Sequence, residues 1–412
     1  MLRNSIIICL ILALTSCGTP TTVIRSSSQT EINEERLNMQ RLAFNTYNER
    51  LEKLNNLAYP LIKYSLDFCP NNIKYDIGIK TLSLNQVDRK FKTALSKGFK
   101  TGLKPFPEPP ILTCHSIIRE NNSGEKIQTK ANYCPQKVIY VVKNSPADKA
   151  GLLKGDKIRS IKVSNSEEWE YDNIFENNEK KNYSNNEVVL SIYPRTLTEK
   201  ELLDAMDDGP IEGVFERVSD PNYLKSLNKH AQEIRITPER VCGYGVNLIQ
   251  NDSLNAFADG KNIYITQGMM RFVEEDRELQ FIIGHELAHN MEGHVEKKTN
   301  NSILGAILDI AAGSAGVNTE GLFGSIGARM YSQEFEKEAD YVGLYILSRA
   351  EIDSSNIENF WRKLAIESPG STINYNSTHP TSPERWATIK ETREEIYSKI
   401  LNNLPLIPER KE

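Results

Sequence analysis

The stretch Phe281-Ile282-Ile283-Gly284-His285-Glu286-Leu287-Ala288-His289-Asn290 constrains this chain more than any other. On a helix, residues four apart differ by about 40° of rotation, so His285 and His289 project side by side. Two imidazoles so placed suit one tetrahedral zinc ion. Glu286, next to the first histidine, reaches water beside such a metal and can take its proton. The flanks support the helix, because Leu279, Ile282, Ile283, Leu287, Met291 and Val295 recur at helical intervals. The chain has only six histidines, so a pair at this spacing beside a glutamate is a specific signal for metal-assisted hydrolysis. It lacks a third ligand.

At 412 residues the chain is too long for one small domain, and two folded units plus a tether are expected. Acids and bases are mixed along it and the formal charge is −5, which gives nucleic acid no footing as a partner. Residues 1–16 read as an export signal: Arg3 is followed by an apolar run from Ile6 to Leu14 that is too short to span a bilayer. Leu14-Thr15-Ser16-Cys17 resembles a bacterial lipobox, which implies a lipid anchor at Cys17. The chain would then face the periplasm, with Gly18 favouring the outer membrane. A plain signal peptide or a short buried strand is the alternative. Of the cysteines left, Cys69, Cys114, Cys134 and Cys242 allow three disulfide pairings, and the sequence does not choose among them. Unpaired buried thiols are the other reading. No C-x-x-C spacing points to a second metal site.

Residues 17–60 read as a lipid-anchored tether followed by a helix: Gly18 to Thr30 is rich in Thr and Ser, and Glu31 to about Leu57 is charged and helical. Residues 61–241 read as a β-rich unit. In it Val138 to Val142 is strand-like and leads into Ser145-Pro146-Ala147-Asp148-Lys149-Ala150-Gly151-Leu152-Leu153-Lys154-Gly155-Asp156-Lys157-Ile158. This run resembles the corresponding segment of bacterial PDZ domains. The resemblance implies a short helix that packs Ala150 and Leu152 inward, and a turn at Gly155-Asp156. It also sets Ile77-Gly78-Ile79 where such domains receive a peptide carboxylate on backbone N–H groups, the peptide adding a strand to a sheet edge. Glu233-Ile234-Arg235-Ile236 is the closing strand. Two insertions interrupt the pattern, one between Ile79 and Val138 with the run Pro105 to Pro110 and one between the strand-like Val188 to Ile192 and Glu233, while Ser164 to Glu187 reads as a solvated loop. A domain that only positions its neighbour is therefore an equal reading to a peptide-binding one.

Residues 242–400 carry the metal motif, and 401–412 form a C-terminal tail expected to be disordered from Leu404 onward. Asn247 to Gln250, Leu254 to Gly260 and Ile263 to Thr266 read as strands, with a turn at Asp259-Gly260. Asn255, Ala256 and Phe257 lie on the strand just ahead of the metal helix, where zinc peptidases hold an extended substrate. Glu334-Phe335-Glu336-Lys337-Glu338-Ala339-Asp340 is the acidic helical segment able to supply the third ligand. By proximity alone Glu334, Glu336 and Glu338 all qualify. Glu336 is favoured because it stacks on one helix face with Asp340, four residues on.

The motifs N-A-F, H-E-L-A-H, E-x-x-A-D and T-H-P-T-S-P-E-R, from Cys242 to about Arg393, together resemble the minigluzincin zinc metallopeptidases, the HtpX, BepA and CAAX prenyl protease group. The resemblance implies a single Zn2+ on His285, His289 and Glu336, with Glu286 as general base and Asp340 orienting a zinc histidine. It places His379 near the metal, as a removable fourth ligand or as a donor to the tetrahedral oxyanion, the alternative being a loop-structuring residue. It brings Arg385 toward the site. His294, about 140° round the helix from His289, reads as structural, and His115 and His230 as surface residues. The apolar Gly- and Ala-rich stretch Ile303 to Ala328 reads as packing beside the metal helices, with a lid or a membrane-surface contact as alternatives.

The expected fold is α+β: a zincin-like, mostly helical metallopeptidase domain with a small β-sheet, preceded by a β-rich PDZ-like domain. The expected function is zinc-dependent cleavage of misfolded or stalled envelope proteins, with the PDZ-like unit open to a protein partner. A periplasmic chaperone or assembly factor with a plugged zinc site is the alternative, and a PDZ scaffold with a dead protease ranks third.

Overall fold

The first helix, α1 (Gln29–Tyr64), starts where a capping box stops fraying. Ser28 Oγ accepts the Glu31 N–H at 3.2 Å and Glu31 Oε2 accepts the Ser28 N–H at 2.8 Å. The computed structural model describes residues 27–82, 115–120, 126–133, 136–163, 186–193, 232–297, 332–367, 379 and 382–411. The export signal, Cys17 and the tether to residue 26 lie outside the described residues. So do Cys114, Cys134, His230, the run Pro105 to Pro110, residues 164–185 of the Ser164 to Glu187 loop, residues 194–231 of the second insertion and the stretch from Ile303 to Ala328. The sequence reading ended α1 near Leu57, but the helix runs on through Pro60. A proline there costs one helical hydrogen bond. Burial of Leu54, Ala58, Leu61 and Ile62 on the face that meets the main core outweighs it.

After a short 3-10 turn (Leu66–Phe68) come the strands β1 (Ile73–Asp76), β2 (Ile79–Leu82), β3 (His115–Glu120), β4 (Lys126–Tyr133) and β5 (Gln136–Val141). A one-turn helix, α2 (Pro146–Lys149), precedes β6 (Lys157–Val163), β7 (Val188–Tyr193) and β8 (Gln232–Ile236). Strands β3 and β4, the first of which begins at His115, form a separate antiparallel pair. Strands β2, β5, β6, β7 and β8 build an antiparallel five-stranded sheet in the order β2-β5-β6-β7-β8. Ile158, Ile161, Val188, Leu190, Ile192 and Ile236 alternate onto its inner face and make a second, smaller core.

The Ser145 to Ile158 run folds as its pattern requires. Ser145 Oγ caps α2 by accepting the Asp148 N–H at 3.3 Å, and Asp156 Oδ2 accepts the Leu153 N–H at 2.8 Å across the turn at Gly155. Ala147 and Leu152 fill the interior, while Ala150 is only half-buried against it. In the Ile77-Gly78-Ile79 segment the Gly78 N–H donates to Asp76 Oδ1 at 2.6 Å, while the Ile77 and Gly78 carbonyls accept from Ala147 and Val142. Gly78 is held at φ +76° with Ser145 Cβ 2.2 Å from where its own Cβ would be, so only glycine fits.

The second half opens with β9 (Glu239–Cys242), which pairs antiparallel with β1. A disulfide between Cys69 and Cys242, 173 residues apart, locks this junction and resolves part of the cysteine pairing left open by the sequence. Strands β10 (Gly245–Ile249), β11 (Ala256–Ala258) and β12 (Asn262–Thr266) form a three-stranded sheet in the order β10-β12-β11, with β10 parallel to β12 and β11 antiparallel to it. The turn at Asp259-Gly260 is present, with Asp259 Oδ1 accepting the N–H groups of Lys261 and Asn262 at 2.8 and 2.6 Å. Among the described residues the helices that follow are α3 (Gln267–Phe272), α4 (Asp276–Met291), α5 (Gln333–Arg349), α6 (Asn359–Glu367) and α7 (Pro383–Leu401). The mixed α+β class is as expected. No helix among the described residues is long and apolar enough to cross a membrane.

Helices α4 and α5 meet glycine to glycine. A Cβ on Gly284 would lie 2.8 Å from Leu347 Cδ1, and one on Gly343 would lie 3.1 Å from the His285 backbone nitrogen. This close approach sets the depth at which α5 delivers its acidic side chains to α4. Gly343→Ala gains about 1 kcal/mol in helix propensity, against about 1–3 kcal/mol for overpacking. The expected result is a net loss of up to about 2 kcal/mol, read as a lower denaturant midpoint at unchanged slope. A higher midpoint would show that the helices can part without cost.

The chain end corrects the sequence reading of a disordered tail. The Leu404 N–H donates to the Lys399 carbonyl at 2.8 Å, and Lys399 Nζ donates to the Ile407 carbonyl at 2.9 Å. The Glu409 N–H reaches Tyr341 Oη at 3.0 Å, and Arg410 forks onto Glu292 at 2.6 and 2.8 Å. These contacts dock residues 404–410 on α5 and on the end of α4.

Candidate metal centre

The metal motif lies on the C-terminal half of α4, where the helix is buried on all sides: His285, Glu286 and His289 are each at most 1% exposed. Strand β11 and the turn after it lie against this helix. Asn290 fixes that contact, accepting the Gly260 N–H at 2.7 Å and donating to the Asn262 carbonyl at 3.1 Å. Opposite, α5 begins at the N-cap Ser332 and carries Glu336 in its first turn, fully buried.

Four side chains converge here. His285 Nε2 and His289 Nε2 are 3.0 Å apart, and Glu336 lies 3.4 and 3.5 Å from them. His379 Nδ1 lies 3.0 Å from Glu336 Oε1 and 3.3 Å from His285 Nε2. One donor atom from each of these residues falls within 4.8 Å of all the others. Two neutral imidazole nitrogens and a carboxylate oxygen are the donor set that zinc takes, and no bulk water reaches them. Glu286 stands beside the cluster, with Oε1 3.4 Å from His379 Nε2. Its Oε2 is buried without a hydrogen-bond partner among the described residues. A buried carboxylate oxygen held idle next to four converging ligands fits a metal centre that processes water.

A second layer fixes the ligands. Asp340 Oδ1 accepts His285 Nδ1–H at 2.9 Å, which leaves Nε2 as the lone-pair nitrogen facing the cluster. Arg385, fully buried, donates to both Asp340 oxygens at 2.7 Å and to Glu336 Oε2 at 2.8 Å. Its guanidinium lies 4.0 Å from the centre of the Trp361 ring. The buried anions of this layer are thus matched by a cation with fixed geometry.

The electrostatics follow from burial and these pairs. Burial opposes charge on His285, but Asp340 and Glu336 outweigh it and push its pKa up to about 9. Burial holds His289 well below the usual histidine value and raises the Glu286 carboxyl. For Glu336 burial works upward, yet His379 and Arg385 hold it well below the carboxylate range. Burial and pairing thus act in opposite directions on the two histidines, while Glu286 has raised proton affinity.

The structure brings together His285, Glu286, His289, Glu336, Asp340, His379 and Arg385. It separates the rival acids: Glu334 is exposed, and Glu338 points to His294. Asn255, Ala256 and Phe257 run into β11, the outer strand of its sheet, with Phe257 stacked on Tyr264 at 5.0 Å. Ile77, Gly78 and Ile79 belong to the five-stranded sheet and its loop, apart from this centre. His294 needs a correction. A rotation of 140° from His289 holds only if α4 continues, but α4 ends at Met291, and Gly293, at φ +66°, folds the chain back. His294 Nδ1 consequently lies 3.0 Å from His289 Nδ1. Glycine two residues past the helix end was the available signal. Trp361, under Arg385, was also missed, and its distance in sequence offered none.

Residues 220–393 match the profile of Peptidase family M48. The beta-barrel assembly-enhancing protease of Yersinia pestis is 30% identical over 138 residues, covering 29% of this chain and 28% of that protein. The mitochondrial metalloendopeptidase OMA1 of Schizosaccharomyces pombe is 27% identical over 161 residues, 37% of this chain and 48% of that one. Metalloprotease LoiP of Escherichia coli is 30% identical over 147 residues, 34% of this chain and 58% of its own. The chain thus spans about half or less of the length of the first two relatives.

Proposed function

We propose, from the premise that residues 220–393 are an M48 metallopeptidase region, that the chain is a zinc-dependent endopeptidase of the bacterial cell envelope. Its substrates would be misfolded or stalled envelope proteins. The observation that carries this reading is the buried convergence of His285, His289, Glu336 and His379 beside an idle Glu286 oxygen. The export-signal pattern of residues 1–16 and the lipobox-like Cys17, together with relatives named as a beta-barrel assembly-enhancing protease and LoiP, support the envelope location and a lipid anchor.

A zinc ion on His285, His289 and Glu336 would supply positive charge that polarises a peptide carbonyl and lowers the pKa of nearby water. The chain's residues do the rest. Glu286 takes the proton of the attacking water and later gives it to the leaving amine. Its burial, which raises its affinity for that proton, suits both halves of the task. Asp340 and Arg385 hold the His285 ring and the Glu336 carboxylate at fixed angles, so neither must reorganise during the reaction. Strand β11 offers its outer edge, with Asn255, Ala256 and Phe257, to an extended substrate. In the five-stranded, PDZ-like sheet the Gly78 N–H is engaged by Asp76, which favours a positioning role over carboxylate capture.

The place of His379 inside the ligand cluster favours a site that is closed at rest, and with it the reading of an assembly factor whose proteolysis is held in check. Purified protein should contain one zinc per chain and cut unfolded casein. Dialysis against 1,10-phenanthroline should abolish cutting, and stoichiometric zinc should restore it. Zinc-free protein that cuts equally well would sink the proposal.

A further inference from the structure

We infer that His294 and Glu338 form a hydrogen-bonded relay that orients His289 toward the metal, making both of them positioning residues of the centre. The inference rests on the reading of His285, His289 and Glu336 as the ligands. Because His289 Nε2 faces His285 and Glu336, its Nδ1 points away from the cluster, and there it meets His294 Nδ1 at 3.0 Å. On the far side of that ring His294 Nε2 lies 2.8 Å from Glu338 Oε2.

Proton bookkeeping fixes the direction of both bonds. A neutral imidazole that ligates through Nε2 carries its proton on Nδ1. That N–H donates to His294 Nδ1, which must then be the bare nitrogen. His294 carries its own proton on Nε2 and donates it to the Glu338 carboxylate. This assignment satisfies both contacts, and reversing either tautomer would set two N–H groups or two lone pairs against each other. A relay of this kind locks the ring angle of a ligating histidine and raises its basicity.

The fold builds the relay from both metal helices. Gly293 ends α4 in a left-handed turn that returns His294 to the side of His289, a backbone conformation that penalises a β-carbon. Phe335, in the first turn of α5, stacks on the His294 ring at 4.5 Å and 17°. Glu338 is one turn further along α5, so the helix that brings Glu336 to the metal also brings the relay's terminus. The two histidine ligands are anchored unequally. His285 leans directly on Asp340, which is buried under Arg385. His289 leans on a neutral ring whose carboxylate partner is 41% exposed.

The test uses the full chain and two replacements that separate hydrogen bonding from packing. His294→Phe keeps the ring stacked on Phe335 and removes the acceptor. His294→Asn removes the ring and keeps an amide oxygen near the place of Nδ1. Zinc affinity is read by competition with a chromophoric chelator, and ligand geometry by the visible spectrum of the Co2+-loaded protein. The relay predicts about 10–100-fold weaker zinc binding and shifted Co2+ bands for His294→Phe, with His294→Asn near wild type. Glu338→Gln, which keeps an oxygen but not the charge, should fall between them. If His294 only packs, the order reverses and His294→Asn is the weak binder; that result, or no change in either variant, overturns the relay. Wild type unable to hold zinc would instead overturn the metal centre itself.

Discussion

Glu286→Gln is expected to lower the rate of casein cleavage by about 10²–10⁴-fold, the range for losing a general acid–base group, and to leave one zinc per chain. Glutamine has the shape of glutamate and cannot accept the proton of water. The residue is 1% exposed and is not among the side chains that converge as ligands, so the metal should not register the change. Its contacts explain why the replacement should be clean. Oε2 has no hydrogen-bond partner among the described residues to lose, and Oε1 is 3.4 Å from His379 Nε2, which an amide oxygen can still face. The measurement is turnover on unfolded casein, with zinc quantified on the same samples. Cleavage at the wild-type rate would remove Glu286 from the mechanism. Loss of zinc together with activity would show that Glu286 helps hold the metal, and its role would have to be reassigned.

The helix bearing this residue was legible because two local signals agree over the same residues, an apolar repeat at helical spacing and a four-residue histidine interval. Glu336 was legible for the same kind of reason: one turn of helix relates it to Asp340, and both prove fully buried on the face of α5 that meets α4. What escaped the sequence depends on where the chain stops being regular. His294 was placed by extrapolating a helix that ends at Met291, and three residues of imagined helix carried it to the wrong side. The length of α1 escaped because Pro60 argues locally for a break, while the burial that overrides it comes from elements far along the chain. The Cys69–Cys242 pair spans 173 residues, and nothing in its spacing distinguishes it from the other pairings. The contact of Gly284 with Gly343 is of the same type. Each glycine alone looks like a weak point in a helix, and only the crossing of the two helices gives the pair its purpose.

His379→Ala is expected to raise casein cleavage. In the structure His379 Nδ1 lies against Glu336 and His285, and its Nε2 lies 3.4 Å from Glu286 Oε1. Its ring thus fills the space between the base and the ligands, where the attacking water and the scissile carbonyl must both fit. On the proposed closed-site reading, activity would be set by the small fraction of molecules in which the ring has swung out. Minor conformers separated by a few kcal/mol are about 0.1–10% populated, so removing the ring should raise the rate by about 10–1000-fold. Arg385 is held independently by Asp340, Glu336 and Trp361, so loss of His379 should leave the remaining ligands in place. Zinc content should therefore stay at one per chain. The competing role gives the opposite sign. If His379 swings toward substrate and donates to the oxyanion of the tetrahedral intermediate, its removal should cost about 10²–10³-fold in rate. An unchanged rate would assign the residue to loop structure, and the resting closure would have to be sought elsewhere. A gain would mean that the chain carries its own restraint and that whatever releases this ring in the cell decides when the peptidase acts.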